Sequence, residues 1–329
     1  MSHTSTSTAP AARPRVDLTK YAWLSIATAI ATIALKTGAW AATGSVGLLS
    51  DAAESTVNLV AAVVALIALK VAARPATERF LYGRAKAEYF SAAVEGAMIF
   101  VAAAVILVVS AERFVNPAPL ENVGWGLVVA IIASILNGVV AGILIRAGKK
   151  HRSITLRADG KHLLTDVWTS VGVVVGVGLV WLTGWDRLDA IVAFAVGVNI
   201  IVTGVGLVSE SVAGLLDKTL DKEHNDTVAR ILREHSSETV TFHGLQTREA
   251  GQQMFMNVHM QVPDEWTVQH AHEFAHEVED AIIAEYPSME ALVHIEPISD
   301  PASYDDIPEA EITIYPDGES IGRAVPRLR

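Results

Sequence analysis

The chain has 329 residues, 51% of them hydrophobic and only 19% charged, and its mean hydropathy of +0.37 is too high for an ordinary soluble domain. It has no cysteine, which excludes disulfides, thiolate zinc sites and iron–sulfur clusters and leaves imidazole, carboxylate, amide and backbone oxygen to hold any metal. The formal charge of −11 arises mainly beyond residue 217, and no basic stripe exists, so a nucleic-acid partner is not expected.

Residues 1–20 are rich in Ser, Thr, Ala and Pro, with Arg13, Arg15 and Lys20. They lack the apolar core of a signal peptide and read as a disordered cytoplasmic leader. From 21 to 216 the chain is a series of Ala/Val/Ile/Leu/Gly runs. A membrane span needs about 20 mostly apolar residues. Six stretches meet this: 21–42, 46–72, 87–114, 122–146, 160–183 and 188–214. Positive charge alternates between their connections. Lys70, Arg74, Arg79, Arg84 and Lys86 follow the second span, and Arg146, Lys149, Lys150, Arg152, Arg157 and Lys161 follow the fourth. The positive-inside rule then puts both termini in the cytoplasm, in a multi-pass protein of the cell membrane.

Two polar pairs interrupt these runs at a four-residue spacing, Glu54 with Asn58 in the second span and His162 with Asp166 in the fifth. Positions i and i+4 share a helix face, and ionisable groups at membrane depth are costly enough to mark ion pathways. A lone His in a soluble helix is more often a core residue than a ligand. Burial in lipid with an acid one turn on reverses that preference, so the two pairs together read as a cation site. Asn58, being neutral, is alternatively a helix–helix hydrogen-bonding group. Asp51, three residues before Glu54, is a further ligand, a helix-starting acid or a partner for Lys36. The other polar residues in the spans, Lys36, Glu88, Glu95, Asn137, Ser170 and Asn199, are read first as packing or interfacial groups and, as the lesser alternative, as contacts of the transported ion. Gly172 and Gly176 are read as packing positions that let helices approach closely.

Beyond 217 the pattern is helix, strand, strand, helix, strand. An amphipathic stretch covers 222–234, strands cover 240–249 and 253–262 around Ala250-Gly251-Gln252, helical periodicity covers 268–286, and a short strand covers 291–295. Eight of the eleven histidines lie in this part. His272 and His276 share a helix face while His270 points elsewhere, and His294 and Glu296 share a sheet face. His224 and His235 read as plain surface residues. Residues 299–329, with Pro, Gly and Asp305-Asp306, are expected to be an acidic, poorly ordered tail.

Ser50-Asp51 before the first pair, Tyr82-Gly83-Arg84-Ala85-Lys86-Ala87-Glu88 before the third span and His162-Leu163-Leu164-Thr165-Asp166 in the fifth together resemble the cation diffusion facilitator family. The resemblance runs from about residue 21 to residue 298. It implies an all-α membrane bundle of six transmembrane helices at 21–216, followed by a C-terminal α+β, ferredoxin-like (metallochaperone-like) cytoplasmic domain at 217–298. By the same resemblance, Glu54, Asn58, His162 and Asp166 build the transport site. His243, His259, His294 and Glu296, with His272, match positions that bind regulatory metal between two copies of the domain. The family commonly has His or Asp followed by Asp in the second span, where this chain has Glu54 and Asn58. One imidazole with oxygen ligands still suits zinc but drifts toward iron(II), manganese or cobalt. Phe80 and Arg84 stand where relatives carry loop histidines, so an accessory metal site there is not expected.

The reading is a homodimeric metal/proton antiporter in membrane lipid, exporting a divalent metal from the cytoplasm. Metal is its substrate and a regulator, and no prosthetic group is implied. Neutral His162 with ionised Glu54 and Asp166 binds metal, so protons compete for the same lone pairs. The alternative is a membrane-anchored metal sensor or scaffold, which has no use for charged groups at membrane depth. An intramembrane metalloprotease would want His-Glu-x-x-His, which does not occur, and an enzyme is not expected.

Overall fold

The computed structural model describes residues 16–43, 46–116, 123–185, 187–305 and 308–315. The chain divides into two compact units, Val16–Leu216 and the part from Asp217 onward.

The first unit consists of six long helices: α1 (Thr19–Thr43), α2 (Val46–Ala72), α3 (Ala87–Val115), α4 (Val123–Lys150), α5 (Ile154–Thr183) and α6 (Arg187–Leu215). At 1.5 Å per residue each is at least about 37 Å long, enough to cross a hydrocarbon layer about 30 Å thick. Five of them are apolar enough to span over their described residues, and in α2 the apolar stretch with described side chains runs Asn58–Ala72. Helix is the form lipid demands of such runs, because every backbone polar group must then pair within its own segment. Large apolar side chains such as Val101, Val108, Leu182 and Val202 stay exposed on the outside of this unit, as a lipid-facing surface requires.

α5 begins six residues before the expected start at 160. Hydropathy misses this turn because Arg157 and Asp159 lie in it, but Ser153 caps it, its side chain accepting from the Leu156 N–H. The same hydroxyl donates to Glu88 on α3, so one serine both starts the helix and ties it to a neighbour. The expected leader, 1–20, is described only from residue 16: α1 begins at Thr19, and Leu18 is 2% exposed in a cluster with residues of α1, α2, α4 and α5.

The helices pack as two groups that share α5. Ala22, Ala62, Leu66, Leu144, Leu156 and Leu163 belong to a cluster of α1, α2, α4 and α5. Tyr89, Ile99, Ile154, Ala158, Ile200 and Leu207 belong to a second, of α3, α5 and α6. α3 and α6 approach each other closely at two glycines. A Cβ on Gly96 would lie 2.8 Å from Val208 Cγ2, and one on Gly204 would lie 3.1 Å from the Phe100 N. Across α5 and α6, Glu210 pairs with Arg157 at 2.6 Å and Lys161 at 3.8 Å.

The second unit runs α7 (Lys222–Glu234), β1 (Thr241–Ala250), β2 (Gln253–Val262), α8 (Val268–Glu285) and β3 (Met289–Pro297), with a short 3-10 helix at Pro301–Tyr304. This is the expected order, with β3 longer at both ends. The sheet order is β1-β2-β3, β1 antiparallel and β3 parallel to β2. The β1–β2 turn has only two residues, and Gly251 takes φ +57° in it, a conformation glycine adopts freely. Val228, Leu232, Phe242, Met256, Met260 and Val278 are among the side chains of one apolar core.

The tail differs from expectation over part of its length. Ile314 is 4% exposed and joins that core, Ile312 N–H bonds to the Leu245 carbonyl at 2.8 Å, and Tyr315 Oη meets Ser236 Oγ at 2.8 Å. Apolar Ile312, Ile314 and Tyr315 supply burial that the acidic composition of the segment conceals. Residues 316–329 lie outside the description.

Candidate metal sites

In the membrane unit, α2 and α5 bring Asn58 and His162 together, both 5% exposed. Asn58 Oδ1 lies 2.8 Å from His162 Nε2, while Asn58 Nδ2 donates to Asp166 Oδ2. The amide therefore holds both α5 residues at once. Since its nitrogen points to a carboxylate, its oxygen faces the imidazole, and the network puts the histidine proton on Nε2. Nδ1 keeps its lone pair, buried and without a hydrogen-bond partner among the described residues. Buried polar atoms are normally paired, so a bare imidazole lone pair in a network that also holds a carboxylate is a donor set able to take a cation.

A third helix contributes. Asn137 on α4 donates to the same Asp166 Oδ2 at 3.2 Å and is 4% exposed. The sequence favours helix packing for it, with contact to the ion as the lesser alternative. Its only sequence signal is being a lone amide in an apolar run. Glu54 and Asp51 belong to α2, but their side chains lie outside the described residues, as does any contact of Asp51 with Lys36.

The second cluster lies on the sheet. Strand register sets His243 opposite His259 and His259 opposite His294, with Glu296 two residues on. His259 Nδ1 is 2.9 Å from Glu296 Oε1, His243 Nε2 is 3.4 Å from Oε2, and His294 Nε2 is 3.7 Å from Oε1. Ligand atoms of His243, His259 and Glu296 all lie within 4.8 Å of one another. Two imidazoles and a carboxylate converging on one point, with Glu296 only 4% exposed, fit a zinc-like ion. His294 borders this group with its side chain 62% exposed.

His272 is not brought to that group. It pairs with His276 along α8, Nε2 to Nε2 3.2 Å, and His276 Nδ1 lies 3.0 Å from Glu279. His270 instead packs against Trp266, ring centroids 4.1 Å apart and the planes tilted by 56°. His224 and His235 are half-buried, against the expectation of plain surface residues. His224 packs on Tyr286 and His235 on Phe274, because imidazole on an amphipathic helix edge fills space beside aromatic rings.

Residues 22–216 match the family model of the cation efflux transmembrane domain, and residues 220–298 match that of the cytoplasmic domain of cation efflux proteins. The chain belongs to the cation efflux, or cation diffusion facilitator, family of multi-pass membrane transporters. It is 48% identical over 297 residues to the uncharacterized transporter sll1263 of Synechocystis sp., covering 90% of this chain and 94% of that one. It is 30% identical over 273 residues to the cation-efflux pump FieF of Klebsiella pneumoniae, covering 83% and 90%. Against FieF of Escherichia coli O1:K1 the identity is 29% over 275 residues, covering 83% and 91%.

Proposed function

We propose that this transporter exports a divalent transition metal from the cytoplasm in exchange for protons. Its transport site is Glu54, Asn58, His162 and Asp166, with Asp51 at the approach. The observation that carries the reading is the buried Asn58–His162–Asp166 network, whose imidazole Nδ1 has no hydrogen-bond partner among the described residues. Metal and proton compete for that lone pair and for the carboxylate oxygens, so binding one releases the other. A site of this kind, opened alternately to the two sides, exchanges metal for protons.

One imidazole with oxygen ligands favours zinc first, with iron(II), manganese or cobalt accepted by the harder donors. The C-terminal domain works as a cytoplasmic, dimer-forming regulator. His243, His259, His294 and Glu296 would hold metal there, and His272 would join from the second copy. Metal at that point links the copies and stabilises their joined state by mass action. The test is transport in proteoliposomes against a panel of divalent metals, with an imposed pH gradient. Zinc flux driven by the gradient and insensitive to sodium is expected. Metal binding without flux would assign the chain to sensing instead.

A further inference from the structure

The His-Glu-x-x-His spacing is absent from the membrane spans but present on α8, as His272-Glu273-Phe274-Ala275-His276. Residues 272 and 276 are one turn apart on one helix face. Their Nε2 atoms lie 3.2 Å apart, with the ring planes 68° apart. With metal–nitrogen bonds of about 2.05 Å, that separation subtends about 100° at a bound metal, close to the tetrahedral angle. The spacing of the two nitrogens is therefore already that of two ligands of one ion.

The pair is held as a chance pair of surface histidines is not. His276 Nδ1 lies 3.0 Å from Glu279 Oε2. The other oxygen of Glu279 accepts from the Val293 N–H of β3 at 3.3 Å, so this acid is fixed to the sheet, its side chain 19% exposed. An ionised carboxylate only accepts, so it puts the proton of the neutral ring on Nδ1 and leaves the Nε2 lone pair of His276 facing His272. A carboxylate behind one imidazole nitrogen, with metal on the other, orients a ligating histidine and raises its basicity. A hydrolase built on this spacing turns its glutamate toward the metal-bound water and adds a third protein ligand. Here Glu273 accepts from Gln269 at 2.9 Å, and among the described residues no third His or acid converges on the two rings. The arrangement suits binding and not hydrolysis.

We propose that His272 and His276 bind a zinc-like cation on α8, with Glu279 as the positioning residue. Imidazole pairs take zinc, copper(II), nickel or cobalt and pass over magnesium and calcium. Within one copy this site is distinct from the sheet cluster. Val293, which holds Glu279, packs in the apolar core, while His294 and Glu296 alternate onto the other face of β3. Two protein ligands hold metal less firmly than three, so α8 fills after the sheet cluster is saturated, and titrations that stop there read the sheet alone. The family resemblance gives His272 to a cluster completed by a second copy. The α8 pair needs one copy only, and His276→Ala separates the two.

Full-length protein in detergent is treated with diethyl pyrocarbonate at increasing zinc, and carbethoxylation of each histidine is read by mass spectrometry. His272 and His276 are expected to become protected together, at higher zinc than His243 and His259. Magnesium should protect neither, and His270, packed against Trp266, should react as before. His276→Ala should abolish the zinc protection of His272 and leave that of His243 and His259 unchanged. Glu279→Gln should raise the zinc needed to protect His272 and His276 about tenfold, with the sheet histidines unmoved, which separates positioning from loss of fold. No protection of His276 at any zinc concentration overturns the proposal and leaves a plain hydrogen bond between the rings. Protection of His272 that survives His276→Ala overturns it too, and assigns His272 to metal shared with the second copy. Neither result touches the transport site, so the exchange reading stands or falls on flux alone.

Discussion

Asn58 occupies the position where a carboxylate would give a metal its strongest hold, and it spends both ends of its amide on His162 and Asp166. On the proposed transport site, those hydrogen bonds would hold His162 and Asp166 in register ahead of the metal and would have to break for it. Asn58→Asp keeps the size and adds a charge, so zinc should bind more tightly, about tenfold, and leave more slowly. Calorimetry and flux measured together check this, and unchanged values in both would make Asn58 a packing residue. His162→Ala or Asp166→Ala removes a ligand outright and should abolish flux in a protein that still inserts and folds. Several kcal/mol of metal binding are lost with each. Asn137→Ala is gentler. It leaves Asp166 with one amide donor fewer, and losing such an orienting partner should weaken metal binding about tenfold.

At the scale of helices, α5 carries the architecture. Its Ile154 and Ala158 face the α3–α6 group while Leu156 and Leu163 face the other, so one helix belongs to both. The α3–α6 group itself depends on the bare backbones of Gly96 and Gly204. Gly204→Val puts branched carbon where a Cβ already meets the Phe100 N at 3.1 Å and the Gly96 carbonyl at 3.2 Å. Backbone cannot yield as a side chain does, so a loss of about 1–3 kcal/mol is expected, read as an earlier thermal unfolding in detergent. Gly178→Ala is the control, since a Cβ there meets nothing within 4 Å. It should be neutral or stabilising by up to about 1 kcal/mol, because alanine is the better helix former.

At the scale of the whole molecule, the C-terminal unit has an apolar core of its own and should fold when produced from Asp217. Zinc titrated into it should give heat that vanishes when His243→Ala and Glu296→Gln are combined, since these remove two of the three converging ligands. Equal heats in both proteins would return the histidines to simple solvation. For the full chain, the proposed competition of protons with metal at His162 and Asp166 predicts a direction in pH. Acid on the receiving side should speed metal release by protonating the vacated ligands, and alkali there should slow it. Flux indifferent to receiving-side pH would contradict exchange at this site.

Six spans, the polar pairs within two of them and the helix–strand order of the second unit were legible in the sequence by itself. Each is written in a local pattern: long apolar runs that lipid forces into helix, a four-residue spacing that shares a face, a glycine where a two-residue turn needs positive φ. The early start of α5 was hidden because a capped first turn bearing Arg157 and Asp159 has no hydropathy signal. The tertiary structure alone decided which groups meet. It joined Asn137 to Asp166, set Asp159 against Ser25, collected His243, His259 and Glu296 while leaving His272 with His276, and buried Ile314 of an acidic tail. Such meetings depend on how whole helices and strands are rotated and spaced. That is settled by packing glycines and apolar faces against partners hundreds of residues of chain could supply, and no spacing along the sequence records which partner wins.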